Sequence, residues 1–202
     1  MPARIDPEQR RQQVIEAAFR LVVADGIEGV SLRKVADESG LNIGSVRHYF
    51  DGHHDLLTAA AEEAGDRMGR RLIEHPIEGL RGLRGDAALD ALQALVETVM
   101  PVDDARRTES IIVVELVIAS RTRPVFRAMS ERMGSDLSAV MRGALEALDL
   151  PGPDLAAAQL VAVIGGLTMD AVTPHGGLSV DRLREVLRAH LRLLLTTANG
   201  GR

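Results

Sequence analysis

The chain has 202 residues, a formal net charge of −5, 46% hydrophobic residues, 2% aromatic residues and no cysteine. This length allows one or two domains with a buried core, and the lack of cysteine excludes disulfides and thiolate metal sites. We find no signal pattern and no uninterrupted apolar run of 18 residues, so we expect a cytoplasmic protein without a membrane partner. Because no nucleophile elbow, phosphate loop or zinc-hydrolase motif is present, we expect neither an enzyme nor a metal or other cofactor.

A first helix is predicted over residues 7–25. Pro7 suits the first helical position, and Gly26 suits a helix end because glycine adopts backbone angles that other residues avoid. Apolar residues recur at helical spacing and form one face, which consists of Val14, Ala17, Ala18, Leu21 and Val22. We expect this face to pack against two short helices that follow and to complete a three-helix head.

Residues 31–50 have the pattern of a helix-turn-helix. Ser31 and Asn42 are each placed to cap a short helix, because their side-chain oxygens accept from the free N–H groups of a first turn. Gly40 lies between the two helices and can adopt a positive φ. The spacing directs two sets of side chains inward: Leu32, Val35 and Ala36, and then Ile43, Val46 and Phe50. A motif of this kind places its second helix in the DNA major groove.

Residues 31–57, SLRKVADESGLNIGSVRHYFDGHHDLL, resemble the N-terminal domain of the TetR (tetracycline-repressor) family of bacterial transcription regulators. The matching positions are Ser31, Val35–Ala36, Ser39–Gly40–Leu41, Gly44–Ser45–Val46, His48–Tyr49–Phe50 and Asp55–Leu56–Leu57. Two positions depart from the family: Arg47 replaces a usual tyrosine, and His53 replaces a usual lysine. Family members tend to bind phosphate with both positions, so the resemblance implies that Arg47 contacts DNA and that His53 contacts it weakly unless protonated.

The predicted partner of the head is a palindromic double-stranded DNA operator. Ser45, Arg47 and His48 are expected to face bases or nearby phosphates, and Arg47 is suited either to a phosphate or to a guanine edge. A missing side chain at Gly44 would let the backbone approach the duplex. The complete predicted DNA-binding set is Ser31, Arg33, Lys34, Asn42, Gly44, Ser45, Arg47, His48, Tyr49 and His53.

The charge of the head is unusual for a DNA-binding domain. Residues 1–57 contain seven Arg or Lys residues against nine Asp or Glu residues, whereas such domains are usually basic. We therefore expect the basic side chains to share one face, formed by Arg4, Arg10, Arg11, Arg33, Lys34 and Arg47. The alternative is a helical ligand- or partner-binding module that no longer binds DNA.

Six more helices are predicted after the head, at residues 53–73, 86–100, 103–122, 124–149, 154–173 and 179–197. Asp86 and Ser179 are possible caps, and the glycine-rich stretch 74–85 is a linker. The expected fold class is all-α with about nine helices. Residues 1–52 would form the helix-turn-helix DNA-binding domain, and residues 53–202 the effector-binding and dimerisation domain.

The last two predicted helices carry wide apolar stripes. Two such helices can pair with a second copy as a four-helix bundle, which predicts a homodimer, although they could instead only close the core of one chain. Residues 161–191 also resemble the C-terminal segment of a TetR subgroup that includes choline-responsive repressors. The residues predicted for the dimer interface are Leu160, Ile164, Leu167, Leu183, Leu187, Leu191 and Leu194.

A pocket for a small-molecule effector of unknown identity is predicted among the middle helices, because methionine side chains adapt to irregular spaces. Its predicted residues are Met68, Met100, Glu115, Phe126, Met129 and Met169. Ordinary core packing is the alternative for the methionines and the phenylalanine, and pairing with Arg121 or Arg123 is the alternative for the glutamate. Together these patterns predict a ligand-responsive transcriptional regulator, and the family resemblance implies a repressor.

Overall fold

The computed structural model describes residues 6–199, with side chains described as far as Thr196. This part of the chain contains nine α-helices, three 3-10 turns and no strand, which confirms the predicted all-α fold. The predicted domain ranges 1–52 and 53–202 extend at each end beyond the described residues, as does the predicted basic residue Arg4. The boundary at residues 52 and 53 stays a prediction.

The helices follow the predicted order. They are α1 (Pro7–Asp25), α2 (Leu32–Ser39), α3 (Ile43–Tyr49), α4 (His53–Ile73), α5 (Gly85–Glu97), α6 (Asp104–Ala119), α7 (Arg127–Ala147), α8 (Pro153–Val172) and α9 (Val180–Asn199). Helices α6 and α7 are shorter than predicted, because Pro124–Phe126 forms a 3-10 turn. Asp86 does not cap α5; residue Arg84 occupies the cap position and makes no side-chain capping hydrogen bond.

The described chain divides into two compact units. The first comprises the residues up to Asp66 together with Ile111–Ser130, and the second comprises Arg67–Ser110 together with the residues from Glu131 onward. Helices α4, α6 and α7 therefore each contribute residues to both units.

The first unit contains the helix-turn-helix. Asp6 caps α1 by accepting from the Glu8 N–H at 3.1 Å, Pro7 occupies the first turn, and Gly26 follows the helix with a φ of 69°. Helix α1 packs on α2, and α2 packs on α3. The core of this head is formed by buried apolar side chains that include Val14, Ala18, Phe19, Val22, Val35, Val46, Phe50, Leu56 and Leu57.

The core of the second unit combines α5, α7, α8 and α9 with Leu80 and Met100. It contains six of the seven residues predicted for the dimer interface: Leu160, Ile164, Leu167, Leu183, Leu187 and Leu191. The seventh, Leu194, is partly buried against the same cluster. Because the six side chains are at most 8% exposed within the single chain, they fill the core of this unit, and the outer faces of α8 and α9 consist of other residues.

Helix α8 has an unusual balance of apolarity and burial. Its mean hydropathy reaches 1.7 over 18 residues, yet only 28% of that window is buried within the chain. It is the one helix among the described residues that is long and apolar enough to cross a membrane on length and composition alone. Core helices of soluble proteins meet the same criterion, but they are mostly buried. Helix α8 differs from them because most of its apolar window is not buried within the single chain.

Candidate nucleic-acid interface

Helix α2 is built and capped as the sequence predicts. The Ser31 side chain accepts from the Lys34 N–H at 3.2 Å, and Gly40 ends the helix in the left-handed conformation with φ 69° and ψ 19°. Val35 and Ala36 are buried. Helix α2 is therefore fixed at both ends, and it forms a firm support for the helix that follows.

Helix α3 begins at an asparagine cap. The Asn42 Oδ1 atom accepts from the Ser45 N–H at 2.8 Å and from the Ser45 hydroxyl at 3.2 Å. Val46 and Phe50 are buried as predicted, but the inward placement of Ile43 is wrong, because this side chain is 38% exposed. Ile43 occupies the first position of a seven-residue helix, and the surrounding elements leave it partly open.

A concave surface of about 540 Å³ lies over the outer side of α3. It is lined by five residues of the predicted DNA-binding set and by one further cation: Asn42, Gly44, Ser45, His48, Tyr49 and Arg10. The rings of His48 and Tyr49 meet edge to face, with centroids 5.1 Å apart. A Cβ atom on Gly44 would lie 3.2 Å from the Asn42 Oδ1 atom, so a side chain there would crowd the cap of α3.

The cations of the predicted basic face differ in the contacts that they make, and of the described ones only Arg10 lines the concave surface. Arg33 and Arg47 are exposed, and neither makes an ion pair with another residue of the described chain. Lys34 is exposed and paired, since its Nζ atom lies 3.0 Å from an Asp25 carboxylate oxygen. Arg11, which we expected on the same basic face, lies over the Phe50 ring at 5.4 Å. Arg33 and Arg47 are therefore available to an incoming phosphate without losing an existing partner.

His53 is placed differently from an exposed phosphate contact. Partial burial lowers its pKa, the neighbouring charge of His54 lowers it further, and a hydrogen bond with the Val30 backbone acts in the opposite direction. Since the ordinary pKa of histidine is about 6.5, a lowered value leaves His53 neutral at pH 7. It therefore lacks the positive charge that a lysine would bring to this position.

Arg10 was absent from the predicted DNA-binding set, although it shares the concave surface with α3. Its position on α1 gives no local signal of this, because α1 and α3 are separate helices whose packing decides which side chains meet. The sequence analysis placed Arg10 on the predicted basic face, but not among the residues expected to contact DNA.

Three residues predicted for the effector pocket belong to the first unit. Phe126 is fully buried, and its ring meets the edge of His54 with centroids 5.9 Å apart. Within the described residues Glu115 makes no ion pair, either with Arg121 or with Arg123, and Arg123 pairs with Glu28. The Glu115 carboxylate lies close to Gly26: if that glycine carried a Cβ atom, the atom would be 3.6 Å from Glu115 Oε2. Met129, the third of them, is also buried, so residues 111–130 pack as part of the unit that contains the head.

The other three residues predicted for the pocket belong to the second unit. Met100 is fully buried within its core, whereas Met68 and Met169 are partly buried. Their role in ligand binding stays a prediction.

The outer face of α8 consists mostly of small and apolar residues at helical spacing, with Gln159 as an exposed polar residue among them. Leu155 is 69% exposed, and Ala158, Ala162, Gly165 and Gly166 are also exposed. A Cβ atom added to either glycine would meet nothing within 4 Å. Packing within the chain therefore does not require glycine at these two positions.

The head and the body each match a known protein family. Residues 14–60 match the family described as bacterial regulatory proteins, tetR family, and residues 88–196 match the family described as BetI-type transcriptional repressor, C-terminal. The chain therefore belongs to the TetR family of bacterial transcriptional regulators. It is a DNA-binding regulator with an N-terminal DNA-binding domain and a C-terminal ligand-binding domain.

Individual relatives agree with this assignment. The chain is 28% identical to the HTH-type transcriptional regulator PksA of Bacillus subtilis (strain 168), over 95% of this chain and 92% of PksA. It is similar in fold to a transcriptional regulator from Rhodococcus sp. Rha1, with a TM-score of 0.82, 24% identity and coverage of 94% of this chain and 97% of that one. It is also 32% identical to the multidrug binding protein EbrR in complex with imidazole, with a TM-score of 0.60 and coverage of 94% and 93%.

Proposed function

We propose that the protein is a cytoplasmic homodimeric repressor that binds a palindromic operator and is released from it by a small-molecule effector. Residues 1–52 would bind DNA, and residues 53–202 would bind the effector and form the dimer. The observation that carries the proposal is the exposed, capped α3, whose concave outer surface holds five of the ten predicted DNA-binding residues. Each α3 would enter a major groove, with the two half-sites about 34 Å apart.

Arg47 is the proposed central DNA contact. It is exposed near the end of α3, and it makes no ion pair within the described residues that DNA would have to break. Ser45 and His48 would face bases or nearby phosphates beside it. The DNA backbone would be contacted by Ser31, Arg33, Lys34, Tyr49 and His53. Lys34 would then exchange its Asp25 partner for a phosphate. His53 is neutral, so it would donate a hydrogen bond to a phosphate without adding a positive charge.

The test of this contact is Arg47→Ala, measured by fluorescence anisotropy on DNA from upstream of the gene. Loss of a base or phosphate contact is expected to weaken binding about 5- to 150-fold, from about 1–3 kcal/mol. A base contact would relax specificity at one position, whereas a phosphate contact would weaken binding to all sequences. The control Arg81→Ala removes an exposed arginine outside the head and should bind normally; unchanged affinity of Arg47→Ala would refute the assigned role.

The rival proposal is a helical ligand- or partner-binding module that no longer binds DNA. The net charge of residues 1–57, with more carboxylates than cations, favours this rival. The same assay separates the two proposals. If the unaltered protein binds no fragment of its upstream region at low salt, the rival is preferred.

The proposed dimer uses the outer faces of α8 and α9. An apolar helix with only 28% of its window buried would bury much more surface against a second copy, and burial of apolar surface is the main force in such association. The exposed Leu193 of α9 would extend the same contact. The buried leucines of both helices would then support the interface from within each chain.

Sedimentation velocity tests the dimer. The unaltered protein is expected at about twice the chain mass of 21.7 kDa. Ala162→Arg should give a monomer, because it places a charge on the proposed contact face. The matched control is Ala139→Arg on α7, where the alanine is also exposed and the dimer should persist. A monomeric unaltered protein, or an unaffected Ala162→Arg variant, would contradict the proposed interface.

The effector is proposed to bind among the body helices, with Met68, Met100 and Met169 as candidate contacts. Its relative EbrR has been solved in complex with imidazole, which supports small-molecule binding by a protein of this fold. Residues 111–130 pack in the unit that contains the head. We therefore propose that Glu115, Phe126 and Met129 change position with the head when the effector binds. Release requires that the effector bind more tightly to the arrangement that does not fit DNA.

A further inference from the structure

A charged cleft of about 250 Å³ lies in the second unit, and its lining includes none of the methionines proposed for the effector. Three arginines from three different helices line it: Arg71 of α4, Arg106 of α6 and Arg184 of α9. Glu74, His75 and Glu97 also line the cleft. Its volume is that of about eight water molecules at about 30 Å³ each, which is the size of a small metabolite.

The arginines meet at the C-terminal end of α5. Arg71 Nε donates to the Thr98 carbonyl at 2.9 Å, and Arg106 Nη1 donates to the Glu97 carbonyl at 2.8 Å. These carbonyls lack partners within their helix, so the guanidinium groups satisfy them. Arg71 and Arg106 therefore cap the C-terminal end of α5.

Capping α5 and pairing with carboxylates leave some N–H groups of the three arginines without an acceptor. A guanidinium carries five N–H groups. All three nitrogens of Arg71 make a hydrogen bond, because Nε donates to the Thr98 carbonyl and each terminal nitrogen donates to Glu109. Arg184 engages only Nε, at 3.1 Å from Glu97, and Arg106 engages Nε and Nη1. Within the described residues, Arg106 Nη2 and both terminal nitrogens of Arg184 make no hydrogen bond.

His75 adds a further polar atom. Its Nδ1 atom lies 3.1 Å from the Arg71 carbonyl oxygen. Because a carbonyl oxygen only accepts, Nδ1 must carry the hydrogen, and Nε2 of the neutral ring is then an acceptor. The cleft thus offers unused donors on two arginines and an unused acceptor on a histidine.

The charge of the cleft selects the class of ligand. The cleft is lined by three arginines and by the acidic residues Glu74 and Glu97. Two further carboxylates, those of Glu109 and Asp103, pair with Arg71 and Arg106. With these four carboxylates against three cations, a plain anion gains little net attraction. A plain cation leaves the unused N–H donors of Arg106 and Arg184 without an acceptor. A ligand that carries both charges can use both kinds of group.

We propose that this cleft binds a small zwitterion of the α-amino acid type. Its carboxylate would accept from the terminal nitrogens of Arg106 and Arg184, in the two-point geometry that guanidinium groups favour. Its ammonium group would lie against Glu74 or the Nε2 atom of His75. The site is distinct from the proposed effector pocket, and binding there is measured without DNA, so its failure leaves the proposed repressor function untouched.

Isothermal titration calorimetry of the full-length protein tests the proposal with the standard L-α-amino acids as probes. At least one should bind saturably. The controls are two analogues of the amino acid that binds, one without its carboxylate and one without its ammonium group. For L-leucine these are 3-methylbutylamine and 4-methylpentanoic acid. Each analogue should bind at least tenfold more weakly than the amino acid itself. Equal binding of the acid alone would overturn the zwitterion assignment, and no saturable binding of any amino acid up to solubility would overturn the site.

Two variants locate the binding. Arg184→Gln should weaken it at least tenfold, because it removes the fork that the carboxylate uses. Arg182→Gln is the matched control on the same helix, where the arginine pairs with Glu185 outside the cleft, and it should bind normally. If Arg184→Gln unfolds the protein, Arg184→Lys retains the charge and the fold but should still bind more weakly. Unchanged affinity in both Arg184 variants would place the ligand elsewhere and refute the proposal.

Discussion

We predict that loss of the buried ion pair between Arg71 and Glu109 lowers the free energy of unfolding by several kcal/mol. The Glu109 side chain is 3% exposed, whereas that of Arg71 is 21% exposed. Arg71 donates to both carboxylate oxygens of Glu109 and to the carbonyl of Thr98, a residue that is itself 2% exposed. The variant Arg71→Met therefore leaves a buried carboxylate and a buried carbonyl without their donor.

The expected cost follows from these two losses. An uncompensated buried charge costs about 3–5 kcal/mol, and the lost hydrogen bond to the carbonyl adds about 1 kcal/mol. The free energy of unfolding should fall by about 4–6 kcal/mol, against a total of about 5–15 kcal/mol for a typical protein. For a chain of this length the melting temperature should fall by about 8–24 °C, at about 2–4 °C per kcal/mol.

Urea denaturation followed by circular dichroism gives these free energies at one fixed protein concentration. The double variant Arg71→Met/Glu109→Leu should recover most of the loss, because apolar residues of similar volume can replace a buried ion pair. Arg142→Met is the control, since Arg142 pairs with Glu146 at 3.3 Å on the surface, where such pairs contribute about 0–1 kcal/mol. A loss below about 1 kcal/mol in Arg71→Met, or a double variant no more stable than the single one, would refute the reasoning.

Two further predictions concern the head and the response to pH. Asn42→Ala removes the cap of α3 and should lower the free energy of unfolding by about 1 kcal/mol in urea denaturation. Ser138→Ala on the surface of α7 is the control, and equal stability of the two variants would show that the cap is dispensable. His53 and His190 both have a pKa lowered chiefly by burial, so below about pH 6.5 the unfolded chain binds more protons and stability should fall as the pH falls. The His53→Gln/His190→Gln variant should flatten this dependence in urea denaturation between pH 5.5 and 7.5, and an unchanged slope would count against it.

Local chemistry explains which parts of the head could be predicted from the sequence. The caps at Ser31 and Asn42 and the left-handed turn at Gly40 depend on residues within four positions of one another, so a short sequence contains all the information. Ile43 was misplaced because its spacing matches the buried face, whereas its exposure depends on how far neighbouring helices extend over it. The same limit kept Arg10 out of the predicted DNA-binding set, because it reaches the surface of α3 only through the packing of α1.

Long-range contacts explain what the sequence left open in the body. An apolar stripe on α8 or α9 has the same pattern whether it faces its own core or a second chain, and the fold assigns Leu160 and Leu187 to the core. The arginine cleft joins residues that are distant in sequence: Arg71 and Glu109 are 38 residues apart, and Arg184 and Glu97 are 87 apart. No short pattern marks such a site, because four separate helix ends create it.

The position of Tyr49 on the concave surface of α3 has a spectroscopic consequence. The chain contains one tyrosine and no tryptophan, so its intrinsic ultraviolet fluorescence comes from a single ring beside His48. A change of emission on mixing with DNA would therefore report on the immediate surroundings of that helix. The unmodified protein carries its own optical probe at the surface where we propose that the duplex binds.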